Sequence, residues 1–151
     1  MKLLETTVDQ NGKELQVYSG VVAYSPAFSS LLRAYADLVD SKLAPVHYDF
    51  ANEDFMLWVQ HKDGRILGGM CFNVDTEWDA IELKMGWTEK EYRSMGINTL
   101  CHKWLEEEAR QRNLNRIISM VHVKNEMRMR SAAKVGLNPL FYLMYKKVDI
   151  V

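Results

Sequence analysis

The sequence predicts an α/β (α+β) fold, and three observations carry that prediction. Ile81, Leu83, Met85 and Trp87 alternate with Glu82, Lys84 and Gly86, the period-two pattern of a strand with one apolar face. Ile97, Leu100, Cys101, Trp104, Leu105 and Ala109 then recur at the spacing of an amphipathic helix. Ahead of both, shorter strand patterns are separated by glycine-bearing turns. The strand and the helix are joined by Tyr92-Arg93-Ser94-Met95-Gly96-Ile97-Asn98, which puts a glycine at the helix mouth. The first turn of a helix has amides without internal partners, and the helix dipole adds partial positive charge there. A strand–glycine loop–helix is therefore a ready anion seat. One glycine without Gly-Lys-Ser/Thr satisfies neither the nucleotide P-loop nor the dinucleotide fingerprint. Taken alone, the same residues are more simply explained by a glycine that ends a strand and lets a helix begin.

At 151 residues the chain is expected to form one domain, 1–151, with a substantial core. A formal net charge of −1 argues against a general binder of nucleic acid or of anionic membranes. The amino terminus breaks off after Leu3-Leu4, so no signal peptide is expected, and no apolar run approaches membrane-spanning length. Cys71 and Cys101 are isolated and read as buried thiols in a reducing cytoplasm. His47, His61, His102 and His122 lack close ligand spacing with cysteines or carboxylates, and no metal site is expected.

Taken in order, Leu4–Val8 and Leu15–Tyr18 flank Asn11-Gly12 and predict a hairpin, its second arm running on through Val21–Tyr24. Ser25-Pro26 predicts a helix start, with Ser as cap and Pro in the first turn, followed by an apolar stripe of Phe28, Leu31, Leu32, Tyr35 and Val39. Leu43–Asp54, with Pro45 and His47-Tyr48-Asp49-Phe50, has no clean period and reads as loop or short irregular helix. Phe55–Gln60 and Ile66–Val74 are strands around a Gly64 turn, and Gly68-Gly69 predicts a bulge or close backbone approach. Asp75–Asp79 turns the chain into the strand at Ile81. After the long helix, which Asn113 ends, come a strand over Arg116–Val123 and a short helix over Lys124–Val135 capped by Gly136. Beyond Pro139, Leu140–Lys147 predicts a last strand.

Arg93-Ser94-Met95-Gly96-Ile97-Asn98 resembles the Arg/Gln-x-x-Gly-x-Gly/Ala pyrophosphate loop of the GNAT N-acyltransferase superfamily, and Asn125 with Gly136-Leu137 resembles that family's Asn…Gly-Phe segment. The resemblance covers roughly Asp54 to Lys147. It implies a mixed, mainly antiparallel sheet flanked by helices, splayed where acetyl-CoA inserts, with the first hairpin as an addition covering a sheet edge. It also implies transfer of an acetyl group from acetyl-CoA to an amine. Ser94, Met95, Gly96, Ile97 and Asn98 would turn their amides to the pyrophosphate of CoA, with Arg93 adding charge. Gly86, Trp87 and Thr88 would meet the pantetheine arm, and Gly86 would allow a local bulge. Asn125 would meet the cofactor, and Arg128 its 3′-phosphate. The resemblance also implies that the loop between Leu43 and Asp54 walls the acceptor site.

Two positions depart from the family. Asn98 stands where Gly or Ala is usual, and Ala132 stands where many members carry the tyrosine that protonates the leaving thiolate. Tyr142, Tyr145 or water could supply that proton. Glu82, on the polar side of the strand that would present the thioester, is the first candidate base, ahead of His61, His122 and Asp75. The expected partner is an amine-bearing acceptor; nucleic acid and membrane are not expected, and homodimer formation is left open. The alternative is a catalytically degenerate module that holds CoA, or a protein partner, without turnover.

Overall fold

The Asn-Gly turn folds as the sequence predicts. β1 (Lys2–Val8) and β2 (Glu14–Val21) pair antiparallel, and the Asp9 carboxylate closes the turn by accepting the amides of Asn11 at 2.8 Å and Lys13 at 2.9 Å. The computed structural model describes residues 1–44 and 49–149. β2 then pairs with β3 (Phe55–His61), β3 with β4 (Ile66–Asp75) and β4 with β5 (Ala80–Thr88), all antiparallel. β5 pairs parallel with β6 (Ile117–Ser119), giving the sheet order β1-β2-β3-β4-β5-β6. This mixed, mainly antiparallel sheet has helices on both faces. α2 (Ile97–Gln111) lays Ile97, Cys101 and Leu105 on Val17, Leu57, Phe72 and Leu83. On the other face α1 (Phe28–Asp40) lays Leu31 on Met56, Trp58, Cys71 and Trp87. α3 (Glu126–Lys134) follows β6 and ends at Gly136, whose φ of +90° suits a glycine.

β1 is an outer strand, as expected of the added hairpin, and a polar clamp holds it to α2. Glu5 accepts Lys103 Nζ at 2.9 Å and Trp104 Nε1 at 2.7 Å. Lys103 thus bridges two elements, whereas Arg110 pairs with Glu106 at 3.3 Å on the helix surface.

β5 departs from the sequence reading in one consequential way. Cys71 is opposite Met85 but Phe72 is opposite Leu83, so Lys84 is an extra residue in the strand. One inserted residue inverts the side-chain alternation. Ile81 and Leu83 therefore pack under α2, while Met85 and Trp87 pack under α1. The strand has two short apolar faces, and its bulge lies at Lys84, not at Gly86. Gly86 does not end the strand, which runs on to Thr88.

Other boundaries shift for local reasons. β2 stops at Val21 because Val22–Tyr24 winds into a 3-10 turn. α1 begins at Phe28, and the Ser25 hydroxyl accepts the Ala27 amide at 3.1 Å one step ahead of the helix. In α1, Phe28, Leu31, Tyr35 and Leu38 face the core, whereas Leu32 and Val39 are exposed. β6 has three residues, not the predicted Arg116–Val123. The predicted strand Leu140–Lys147 is absent: the segment lies outside the sheet, its side chains exposed, and it pairs with no strand among the described residues. Pro45, His47 and Tyr48 of the expected acceptor loop fall outside the described residues.

Candidate active site

The site begins where β4 and β5 touch. A Cβ on Gly68 would lie 2.5 Å from Trp87 O, 3.0 Å from Thr88 Cα and 3.1 Å from Ile97 Cγ2. Only glycine admits this approach, and it seats the start of α2 directly on the end of β5. Gly69 gives equal room to Leu57 O and to the Trp87 indole, which is the close backbone approach expected of this pair. Glu89 N–H continues toward β4, donating to Leu67 O at 2.8 Å.

The chain then turns through Lys90–Tyr92, and Arg93 Nε lies 3.5 Å from Thr88 O. Ser94 adopts φ +64° and Gly96 φ +80° before the helix begins. Two left-handed residues in so short a loop curl its backbone, and Gly96 is the N-terminal cap residue of α2. The first intrahelical bond runs from Leu100 N–H to Gly96 O at 3.0 Å, so the amides from Ile97 to Thr99 precede the helix's own acceptors. A Cβ on Gly96 would meet nothing within 4 Å, so the loop faces open space. Met95 and Ile97 pin it from below, in the core under α2. Thr88, Arg93, Gly96 and Asn98 are thus gathered at one end of β5.

A second feature opens beside it. β5 and β6 are paired from Ile81/Ile117 to Leu83/Ser119 and no further, so from Lys84 onward the outer edge of β5 has no strand beside it among the described residues. The Lys84 bulge coincides with the point of divergence. The cleft between the strands is lined by Lys84 and Met85 on one side and by Ser119, His122, Asn125 and Arg128 on the other. Asn125 caps α3, its side-chain oxygen accepting Arg128 N–H at 3.1 Å. Arg128 thereby projects from the first turn of α3 into this wall.

Neither Glu82 nor Tyr142 lines the cleft. Glu82 lies within the paired part of β5, opposite Ile118, and Tyr142 is 80% exposed in the unpaired tail. Ala132 is buried. His61 is taken up elsewhere, beside Asp9 at 3.5 Å and edge-on to Tyr92.

Two buried groups escaped the sequence reading. Lys84 Nζ donates to Asp54 Oδ2 at 2.7 Å and to Asp49 O at 2.9 Å, and Asp54 is fully buried. Nothing in the alternation pattern marks Lys84 as the bulged residue. His102 is also buried; burial, aided by the Arg128 charge, lowers its pKa to about 4, so it is neutral near pH 7. Its signal was present, since His102 adjoins Cys101 on the buried stripe of α2. Burial alone raises the Cys101 thiol to about 12, and burial with the Asp54 charge does the same for Cys71. Neither is a thiolate near neutral pH. No helix among the described residues is long and apolar enough to cross a membrane.

The same architecture is found in solved structures of low sequence identity. An aminoglycoside acetyltransferase from an uncultured soil metagenomic sample, in complex with sisomicin, is 10% identical with a TM-score of 0.67, over 89% of this chain and 97% of that one. The ribosomal-protein-alanine N-acetyltransferase of Brucella melitensis biovar Abortus 2308 is 15% identical with a TM-score of 0.66, over 89% and 99%. An aminoglycoside N-acetyltransferase in complex with CoA is 10% identical with a TM-score of 0.65, again over 89% and 99%. At these identities the likeness speaks for the fold. Residues 24–137, which span the glycine loop, the diverging strands and α3, match the acetyltransferase (GNAT) family, and the chain belongs to that family.

Proposed function

We propose that this member of an acetyltransferase family moves an acetyl group from acetyl-CoA to an amine by direct transfer in a ternary complex. The observation that carries the reading is the divergence of β5 from β6 at Lys84, which ends at the curled Gly96 loop. A cofactor laid along the bare edge of β5 would bring its diphosphate to the loop amides and its thioester toward the bulge. In this reading the amides from Ser94 to Asn98 hold the diphosphate and Arg93 adds charge. Gly86, Trp87 and Thr88 border the pantetheine arm, and Asn125 and Arg128 close the far wall.

The step itself needs a neutral amine. Its nitrogen attacks the thioester carbonyl, the C–S bond breaks, and the nitrogen's proton passes to a base while the thiolate takes one from solvent. Lys84 is a poor base, because its ammonium already donates to Asp54 and Asp49. Glu82, two residues earlier on β5, remains the proposed base and would act through water. Tyr142 as acid would require its segment to move from its present exposed position, so water is the proposed proton source. The high thiol pKa values of Cys71 and Cys101 support direct transfer over an acyl-cysteine intermediate.

The rival reading, a module that holds CoA without turnover, is favoured by one observation: a buried Ala132 where the family's acid would stand. Thermal shift with acetyl-CoA, CoA and dephospho-CoA, followed by thiol release against a panel of amines, separates the two. The enzyme reading expects stabilisation by acetyl-CoA and amine-dependent thiol release, with Glu82→Gln lowering kcat more than KM. Stabilisation without thiol release from any amine supports the module. No stabilisation by any of the three ligands overturns both.

A further inference from the structure

The cleft between β5 and β6 is unevenly stocked with hydrogen-bonding groups. Lys84 Nζ has three N–H donors and uses two, on Asp54 Oδ2 at 2.7 Å and on Asp49 O at 2.9 Å. The third is left at the cleft that its side chain lines. His122 accepts the Lys124 amide on Nδ1 at 3.1 Å, so the neutral ring carries its proton on Nε2, again a donor. Asn125 commits its side-chain oxygen to the Arg128 amide and keeps its NH2 group. Ser119 gives its hydroxyl proton to Leu83 O at 3.3 Å, and its oxygen is the one side-chain acceptor left among these groups.

No carboxylate lines the cleft among the described residues, and Pro45, Val46, His47 and Tyr48 carry none. Asp54 is close but fully buried, whereas the Lys84 side chain is 14% exposed, so their ion pair turns its positive end outward. Low-dielectric walls focus such a field, and Leu38, Leu43, Met85 and Met120 supply them.

We infer that the acceptor is a small amine with a carboxylate one carbon from the nitrogen and an apolar body, the pattern of an apolar α-amino acid, and that Lys84 selects it by holding the carboxylate. The inference rests on the acetyl-transfer reading, in which Arg128 serves the cofactor and the thioester lies toward the Lys84 bulge. A carboxylate on Lys84 then sets the α-amine beside the thioester, and the apolar body lies against Met85 and Met120. A second cation, as on a polyamine or an aminoglycoside, would face Lys84 with no carboxylate to receive it, and is disfavoured.

Thiol release from acetyl-CoA against leucine, leucinamide, spermidine and sisomicin tests it. Leucine and leucinamide share the amine and the apolar body and differ in the carboxylate. The amide's amine is the less basic of the two, so more of it is neutral and the comparison is weighted against the inference. kcat/KM for leucine is expected to exceed that for leucinamide by about tenfold or more, the effect of one charge-assisted hydrogen bond, and to exceed that of either polycation. In the Lys84→Met, Asp54→Asn double variant, which removes both charges together, the preference for leucine is expected to disappear. Thermal shift of the CoA-loaded protein with N-acetylleucine and N-acetylleucinamide reads the same recognition without turnover, and only the first is expected to stabilise. A leucinamide rate equal to that of leucine overturns the inference and leaves the acetyl-transfer reading standing, as does a polycation that is the better substrate. A double variant that keeps the preference overturns the role of Lys84. Stabilisation by N-acetylleucine without thiol release from any amine upholds the carboxylate seat and overturns acetyl transfer. Neither stabilisation nor thiol release overturns both.

Discussion

Three glycines border the proposed cofactor path, and the surroundings of each predict a different response to alanine. At Gly68 the added carbon would sit 2.5 Å from Trp87 O and 3.0 Å from Thr88 Cα, both backbone atoms that cannot rotate away. Relief requires β4 and β5 to part or α2 to lift, and overpacking of this kind costs about 3 kcal/mol. For a domain of this size that lowers Tm by about 10 °C. At Gly96 the carbon would meet nothing, and the cost is that of a side chain at φ +80°, about 1–2 kcal/mol. At Gly86 the nearest atom is Met70 Cγ at 3.5 Å, an ordinary contact, and stability should stay within about 0.5 kcal/mol of wild type. Urea unfolding followed by tryptophan fluorescence, with Trp58 and Trp87 buried as reporters, measures all three. Acetyl-CoA titration on the same proteins reads the second consequence. Gly96→Ala should lose affinity out of proportion to its stability, because its methyl group points into the space where the diphosphate is proposed to lie. If Gly68→Ala unfolds within about 1 kcal/mol of wild type, the close seating of α2 on β5 is wrong. If Gly96→Ala binds acetyl-CoA normally, the loop is not the diphosphate seat.

Two further outcomes follow from buried charge. His102 has its pKa lowered from its ordinary 6.5 to about 4, chiefly by burial, so between those values the unfolded chain holds a proton that the native one refuses. Stability is therefore complete above pH 6.5 and falls as pH drops toward 4. The loss is about 3 kcal/mol at most, nearer 2 kcal/mol once screening by solvent is allowed for. His102→Leu should flatten that part of a pH–stability curve, and an unchanged slope would refute the assignment. Lys84→Met strands the fully buried Asp54 carboxylate and should cost about 3–5 kcal/mol, whereas adding Asp54→Asn should recover much of it. Equal stability of the single and double variants in denaturant unfolding would show that the pair is not coupled.

What the sequence determined by itself was local. Asn11-Gly12 dictated a hairpin because tight turns need positive φ, and Gly136 ended α3 for the same reason. The stripe of Ile97, Cys101 and Leu105 placed α2 and its buried face, and the glycine ahead of it placed the loop. These features depend on neighbours within a turn or two, so spacing reveals them. The extra residue at Lys84 did not announce itself, because a bulge is defined against the partner strand, and Ile81, Leu83, Met85 and Trp87 alternate perfectly in one dimension. Only the register with β4 sends the first pair to α2 and the second to α1. The Lys84–Asp54 contact joins residues thirty positions apart, beyond any local pattern. Leu140–Lys147 marks the reverse limit: the run has every local preference of a strand, but a strand exists only beside a partner, and it pairs with none of the strands among the described residues.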